Sequence, residues 1–253
     1  MIRNALPPLA LAVVLLVVWQ ACCQLLSIPP YLLPAPSQVA TALVNGALML
    51  ASSAWRTLSM ALEALAAASL VATSLAFLVS LHRVLDHAVR PLAIAVQVTP
   101  VVAIAPLVGI WAGVEHPGRA VVVLAAIVAF FPIFSGAARG LASADPDLER
   151  LFDLYGATSF QRLLRLRIPS SIPFLIEGHK IAAALAIIGA VVAEFAAGSG
   201  GAQGLAWRIL EASNRLQTDR MFAAILVLAL MASGVHLVFQ AVERVALKWW
   251  RGR

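Results

Sequence analysis

Apolar runs of membrane length alternate with short polar connectors along this chain. The first, Leu9 to Leu26, is too long for the apolar part of a secretory signal and lacks a small-x-small cleavage site, so it reads as a retained helix. Pro29, Pro30, Pro34 and Pro36 then forbid continuous helix, and Gln38 to Ala51, of mixed polarity, reads either as a surface-lying helix or as a plain connector. A second run covers Leu58 to Leu81, followed by a loop from His82 to Pro91. The third, Leu92 to Trp111, carries Pro100 and Pro106, and the fourth, Ala120 to Gly140, carries Pro132. The fifth begins near Pro173 and crosses from Ile181 to Ala197; its Ala182, Ala183, Ala184, Ala186, Gly189 and Ala190 admit close helix neighbours. The sixth is Met221 to Val245, and Trp249 and Trp250 beyond it suit a membrane interface. The pattern predicts an all-α integral membrane protein with six transmembrane helices. It divides into an N-terminal helix with a proline-rich outer loop (1–57), a core (58–245) with a polar loop at 141–180, and a basic tail (246–253).

One segment departs from the apolar pattern: Asp145 to Pro173 is long, polar and strongly charged. Asp145 can cap a helix opened by Pro146, with Asp147 and Glu149 where the helix dipole favours negative charge. Gly156 ends that helix, since glycine takes the left-handed cap without a Cβ penalty. Thr158 or Ser159 then caps a second helix, in which Arg162, Arg165 and Arg167 alternate with leucines until Pro169 breaks the pattern. The result is a helix-glycine-helix knob. Leu148, Leu151, Phe152 and Tyr155 share one face of its first helix, which serves either a partner or the chain's own bundle.

Composition fixes the solvent. With 62% hydrophobic and 12% charged residues the 253-residue chain lies outside the soluble range. Its net charge of +6 sits in alternate loops, as membrane orientation requires, and gives no reason to invoke nucleic acid. With the N-terminus inside, 13 Lys and Arg residues fall on the cytoplasmic side and 5 outside, so both termini and the knob are expected in the cytoplasm. Adjacent Cys22 and Cys23 cannot form an ordinary disulfide with each other.

Within the spans, two prolines must interrupt the third run, and irregular backbone at membrane depth is tolerated where it is protein-buried or lines water. Gln97, Thr99 and Pro100 are therefore candidates for a translocation pathway, against an ordinary packed kink. Glu194, near the far end of the fifth run, joins them; it and Glu63 each read either as a polar lining or gate or as an interfacial side chain that snorkels or pairs locally. Glu177 and Lys180, one turn apart, are expected to pair. The five histidines show no metal spacing, and no GxxxxGK[ST] phosphate loop is present. Gly198, Gly200, Gly201 and Gly204 read as a flexible exit from the fifth helix.

The spacing from Gly156 through Leu166 to Ile168 and Pro169 resembles the EAA loop of ABC importer permeases. Arg150, Leu151 and Phe152 occupy the places of the EAA triplet, and the nearest acid, Glu149, stands one place early. Downstream, Gly178 to Leu230 resembles the taurine, sulfonate, nitrate and thiamine-precursor branch, and the resemblance covers about residues 50 to 245. It implies a type I ABC importer permease fold, with 141–180 as its cytoplasmic coupling loop, in the inner membrane of a prokaryote. It also implies a transport subunit rather than an enzyme, binding no cofactor itself, with ATP and Mg on a separate cytoplasmic ABC ATPase. An extracytoplasmic solute-binding protein and a second permease copy, in a homodimer, would complete the assembly in the lipid bilayer. Leu151, Phe152, Tyr155, Gly156, Ala157 and Pro169 would serve ATPase coupling, with Arg162 and Arg165 orienting the contact. The implied solute is a small organic one: a sulfonate, taurine or nitrate-like anion, or a thiamine-pyrimidine or riboflavin-like precursor. The rival reading is a secondary ion-coupled transporter or channel using the broken third span and an intramembrane acid, but no inverted halves with matching broken helices are visible. For a membrane-embedded enzyme, no catalytic constellation is evident.

Overall fold

The computed structural model describes residues 2–81, 83–113, 115–197 and 203–252, and all regular structure among them is helical. His82, Gly198, Gly200 and Gly201 lie outside the described residues. The helices are α1 (Ile2–Leu25), α2 (Pro36–Asn45), α3 (Ala47–Leu81), α4 (Arg83–Val98), α5 (Val101–Ala112), α6 (Pro117–Leu141), α7 (Pro146–Leu154), α8 (Ser159–Arg162), α9 (Ile168–Ala197), α10 (Leu205–Asn214) and α11 (Thr218–Arg251), with a π-helical segment at Leu163–Arg167. Four helical stretches, Ala47–Leu81, Pro117–Leu141, Ser159–Ala196 and Thr218–Trp250, are long and apolar enough to cross a membrane. The bent pair α4–α5 makes a fifth if counted as one span, and Ala10–Leu25 is a shorter apolar helix.

Several expected boundaries move. Gln38 to Ala51 is neither one surface helix nor a connector: α2 stops at Asn45, and α3 starts at Ala47 rather than Leu58. The expected loop at His82–Pro91 is helical from Arg83, because Pro91 interrupts only one bond of an otherwise amphipathic helix. Of the two prolines in the third run, only Pro100 breaks the chain, with α4 and α5 meeting at 97°, while Pro106 stays inside α5. Beyond the glycine-rich exit, Leu205–Asn214 forms α10, an element the sequence pattern did not predict.

The chain divides into two compact units: Met1–Arg56 with Gln203–Leu230, and Thr57–Ala202 with Met231–Arg253. In the first unit, Gln20 donates to Ser37 Oγ (3.2 Å) and accepts from the Ser37 N–H (3.1 Å), fixing α1 to the start of α2. Gln38 Oε1 accepts from the Ala35 N–H at 2.9 Å, satisfying the backbone donor of the residue before α2. Thr218 donates to the Pro30 carbonyl at 2.6 Å, Arg208 reaches Ser53 and Glu211, and Trp19 packs on Phe222 with ring centroids 5.8 Å apart.

The second unit is built on the crossing of α6 and α9. Lipid tails are as apolar as leucine, so helices in a membrane are held by close packing and hydrogen bonds rather than by the hydrophobic effect. Here the packing uses absent side chains. A Cβ on Gly136 would stand 2.8 Å from the Phe174 carbonyl oxygen, one on Gly178 would stand 2.8 Å from that of Pro132, and one on Gly189 would stand 2.9 Å from Ala125 Cα. Ala182, Ala183, Ala186 and Ala190 are buried as their spacing predicts, whereas Ala184 is exposed. Polar bonds tie α3 to α9: Thr57 donates to Glu194 at 2.7 Å, and Ser69 Oγ lies 2.7 Å from His179 Nε2. Lys180 does not pair with Glu177. It bonds Glu243 of α11 at 2.8 Å, because an antiparallel neighbour offers a carboxylate in better reach than its own helix does.

Candidate functional site

The knob forms between α6 and α9. Asp145 accepts from the Asp147 N–H at 2.8 Å and Pro146 opens α7, so the predicted cap is present. Gly156, at φ +64°, closes α7, with Ala157 N–H donating to the Phe152 carbonyl and Gly156 N–H to that of Asp153, both at 3.0 Å. Of the two candidate second caps the chain uses Thr158. Its Oγ1 accepts from the Gln161 N–H at 3.2 Å, and the Gln161 side chain accepts from the Thr158 N–H at 2.9 Å, a reciprocal capping box.

Beyond α8 the expected break at Pro169 does not occur. The path widens into the π segment and runs on as α9 through Pro169 and Pro173. Two causes make this tolerable: Pro169 falls in the first turn of α9, and the carbonyl that Pro173 cannot serve, that of Pro169, accepts from Trp250 Nε1 at 3.0 Å.

The inner face of the knob is braced by charge. Glu149 accepts from Arg167 Nε at 2.7 Å and pairs with Arg162 at 3.5 Å. Arg162 also meets Asp153 at 2.6 Å and the Ala157 carbonyl at 3.3 Å, and Arg167 reaches the Ser80 carbonyl of α3 at 3.2 Å. These groups line a cavity of about 490 Å³ beside Ala138 and Leu141. The acid standing one place early is thus the hub of the knob, and Arg162 is turned inward while Arg165 is exposed. Charge-assisted bonds of this kind are about twice as strong as neutral ones.

The outer face is apolar and bare. Leu154 is 85% exposed and Tyr155 81%, with Phe160 and Leu151 also exposed, while Phe152 and Ala157 are half-buried. Sequence reading missed Leu154 and Phe160. The signal for Leu154 was a leucine directly before the capping aromatic and glycine, and Phe160 follows the second cap at once.

The pathway candidates do not gather in this way. Thr99 bonds its own helix through the Ala95 carbonyl at 2.8 Å, beside the exposed Gln97 and Pro100 at the break. Glu194 is 3% exposed and held by Thr57, whereas Glu63 is exposed on α3.

The chain thus joins long apolar helices to a charge-braced polar knob. Residues 64–248 match the family described as binding-protein-dependent transport system inner membrane component. The chain belongs to that family. It is accordingly an ABC transporter permease subunit, a multi-pass membrane protein whose work is transport. Among its relatives, the formylaminopyrimidine transport permease protein ThiX of Halalkalibacterium halodurans is 30% identical, over 97% of this chain and 96% of ThiX. The riboflavin transport system permease protein RibX of Chloroflexus aurantiacus is 34% identical, over 93% of this permease and 87% of RibX. The taurine transport system permease protein TauC of Escherichia coli is 28% identical, over 93% and 86% respectively.

Proposed function

We propose that this permease forms the solute path of an ATP-driven importer, and that its knob is the EAA-type coupling element that receives a cytoplasmic ABC ATPase. The observation that carries the reading is the split character of the knob, a charge-braced inner face under an exposed apolar tip of Leu151, Leu154, Tyr155 and Phe160. Water does not explain such a tip, and a partner groove does. ATP and Mg belong to that ATPase, whose closure would draw two knobs together and alternate access through two copies of the chain. Counting the bent pair α4–α5 and the shorter apolar helix α1 with the four long spans supports a six-span type I fold in a prokaryotic inner membrane. The cationic excess supports cytoplasmic termini, with the opposite face left for an extracytoplasmic solute-binding protein. Gln97, Thr99 and Pro100 at the bend are assigned to the path, and Glu194 to its α3–α9 wall.

The solute is a nitrogen heterocycle of the vitamin-precursor kind. ThiX and RibX, at 30% and 34% identity, are more nearly identical to this chain than TauC is at 28%. The test is purification from native membranes followed by reconstitution. An ATPase should come down with the tagged chain, and the assembly should take up formylaminopyrimidine or riboflavin in preference to taurine. Solute movement down an ion gradient by the chain alone, without ATP, would overturn the reading.

A further inference from the structure

The root of the knob is held from outside its own helix. Pro173 has no N–H to give the Pro169 carbonyl, and Trp250 Nε1, from the last turn of α11, donates to that carbonyl at 3.0 Å. Eleven residues along α9 from Pro169, Lys180 bonds Glu243, which precedes Trp250 by two turns on α11, at 2.8 Å. The two contacts join α9 to α11 at two separate points, and their order along the two helices is antiparallel.

We infer that Trp250 and the Lys180–Glu243 pair clamp α11 to the base of α9, so that the knob, the π segment and the C-terminal part of α11 move as one body when the ATPase pulls. The inference rests on the coupling role proposed for the knob. Trp250 is then a positioning residue. Its indole N–H fills the acceptor that Pro173 leaves without its usual donor, at the point where force enters the bundle. A helix root that yields under load would absorb the stroke of the ATPase locally, and the bond opposes that yielding. The geometry also explains how Pro173 is accommodated in a helix that must transmit motion: the bond lost within α9 is replaced by one that recruits a second helix.

The test uses the permease copurified with its ATPase in lipid nanodiscs, with Cys22→Ser and Cys23→Ala and spin labels at Ser159→Cys on the knob and Val242→Cys on α11. Both labelled positions are exposed. The expected result is a narrow distance distribution, unchanged by ATP with vanadate. Trp250→Phe keeps the apolar ring but loses the donor, and should broaden the distribution and add a longer-distance population. Pro173→Ala restores the intrahelical N–H that competes for the Pro169 carbonyl and should do the same, and the two changes together should be no worse than either alone. ATP hydrolysed per solute taken up should rise in both variants, which simple destabilisation would not produce. A Trp250→Phe distribution superimposable on the parent, or a parent distance that shifts with nucleotide, overturns the clamp. Should no ATPase copurify, the coupling role of the knob fails instead, and the nucleotide-free distances still decide whether the clamp exists.

Discussion

The α6–α9 crossing and the knob between these two helices are held together in opposite ways. The crossing removes side chains until backbones touch, through Gly136, Gly140, Gly178 and Gly189, and no ion pair is recorded across it among the described residues. The knob keeps large side chains and fixes them by two caps and a charge cluster of Glu149, Asp153, Arg162 and Arg167, leaving its apolar tip bare. The difference follows from the medium. In lipid, dispersion between close backbones is the force at hand, while at the polar boundary charges can be solvated on one side and paired on the other. On the coupling role proposed for the knob, one region is a stiff lever and the other a handle.

The largest effect should come from filling the crossing. Gly136→Val or Gly178→Val places carbon against a backbone carbonyl and should cost about 1–3 kcal/mol or more, read as a lower midpoint for loss of monodisperse protein on heating in detergent. Gly109→Ala, where nothing lies within 4 Å, is the matched control and should leave that midpoint in place. Next comes the hub. Glu149→Gln weakens its bonds to Arg162 and Arg167 at a cost of about 1–3 kcal/mol, confined to the knob and seen as new proteolysis between α7 and α8 while the bundle still melts as before. Gly156→Val forces a branched side chain into the left-handed region at about 1–2 kcal/mol and should abolish ATP-coupled uptake with membrane levels intact; Gly156→Asn, which tolerates that backbone, should keep most of it. The smallest effect on stability belongs to the tip. Leu154→Ser with Tyr155→Ser should stay within about 0.5 kcal/mol of the parent yet lose the ATPase on purification. A crossing that tolerates valine, or a tip whose loss unfolds the protein, would dissolve the contrast between lever and handle.

The two regions were unequally legible. Asp145, Pro146, Gly156 and Thr158 announce the knob because caps are decided within four residues of chain. The crossing partner of the small-residue face on α9 was hidden, since Gly136 and Gly178 meet across 42 positions and only the fold brings them together. Lys180 misled for the same reason, its local partner Glu177 losing to a distant Glu243. Pro100 and Pro106 looked alike in sequence; the structure breaks the helix at the first and absorbs the second. Glu149 was legible as a helix-opening acid but not as a hub, because its arginines lie 13 and 18 residues away beyond a glycine turn.

The π segment Leu163–Arg167 sets a further consequence. Every residue of an α-helix advances the chain by about 100° around the axis, so one residue more or fewer in this short widened turn would swing the apolar tip through roughly that angle without altering a single side chain. Chain length at this place is an aiming adjustment. Insertions and deletions there would re-point the handle toward a different partner far faster than point substitutions could reshape its surface.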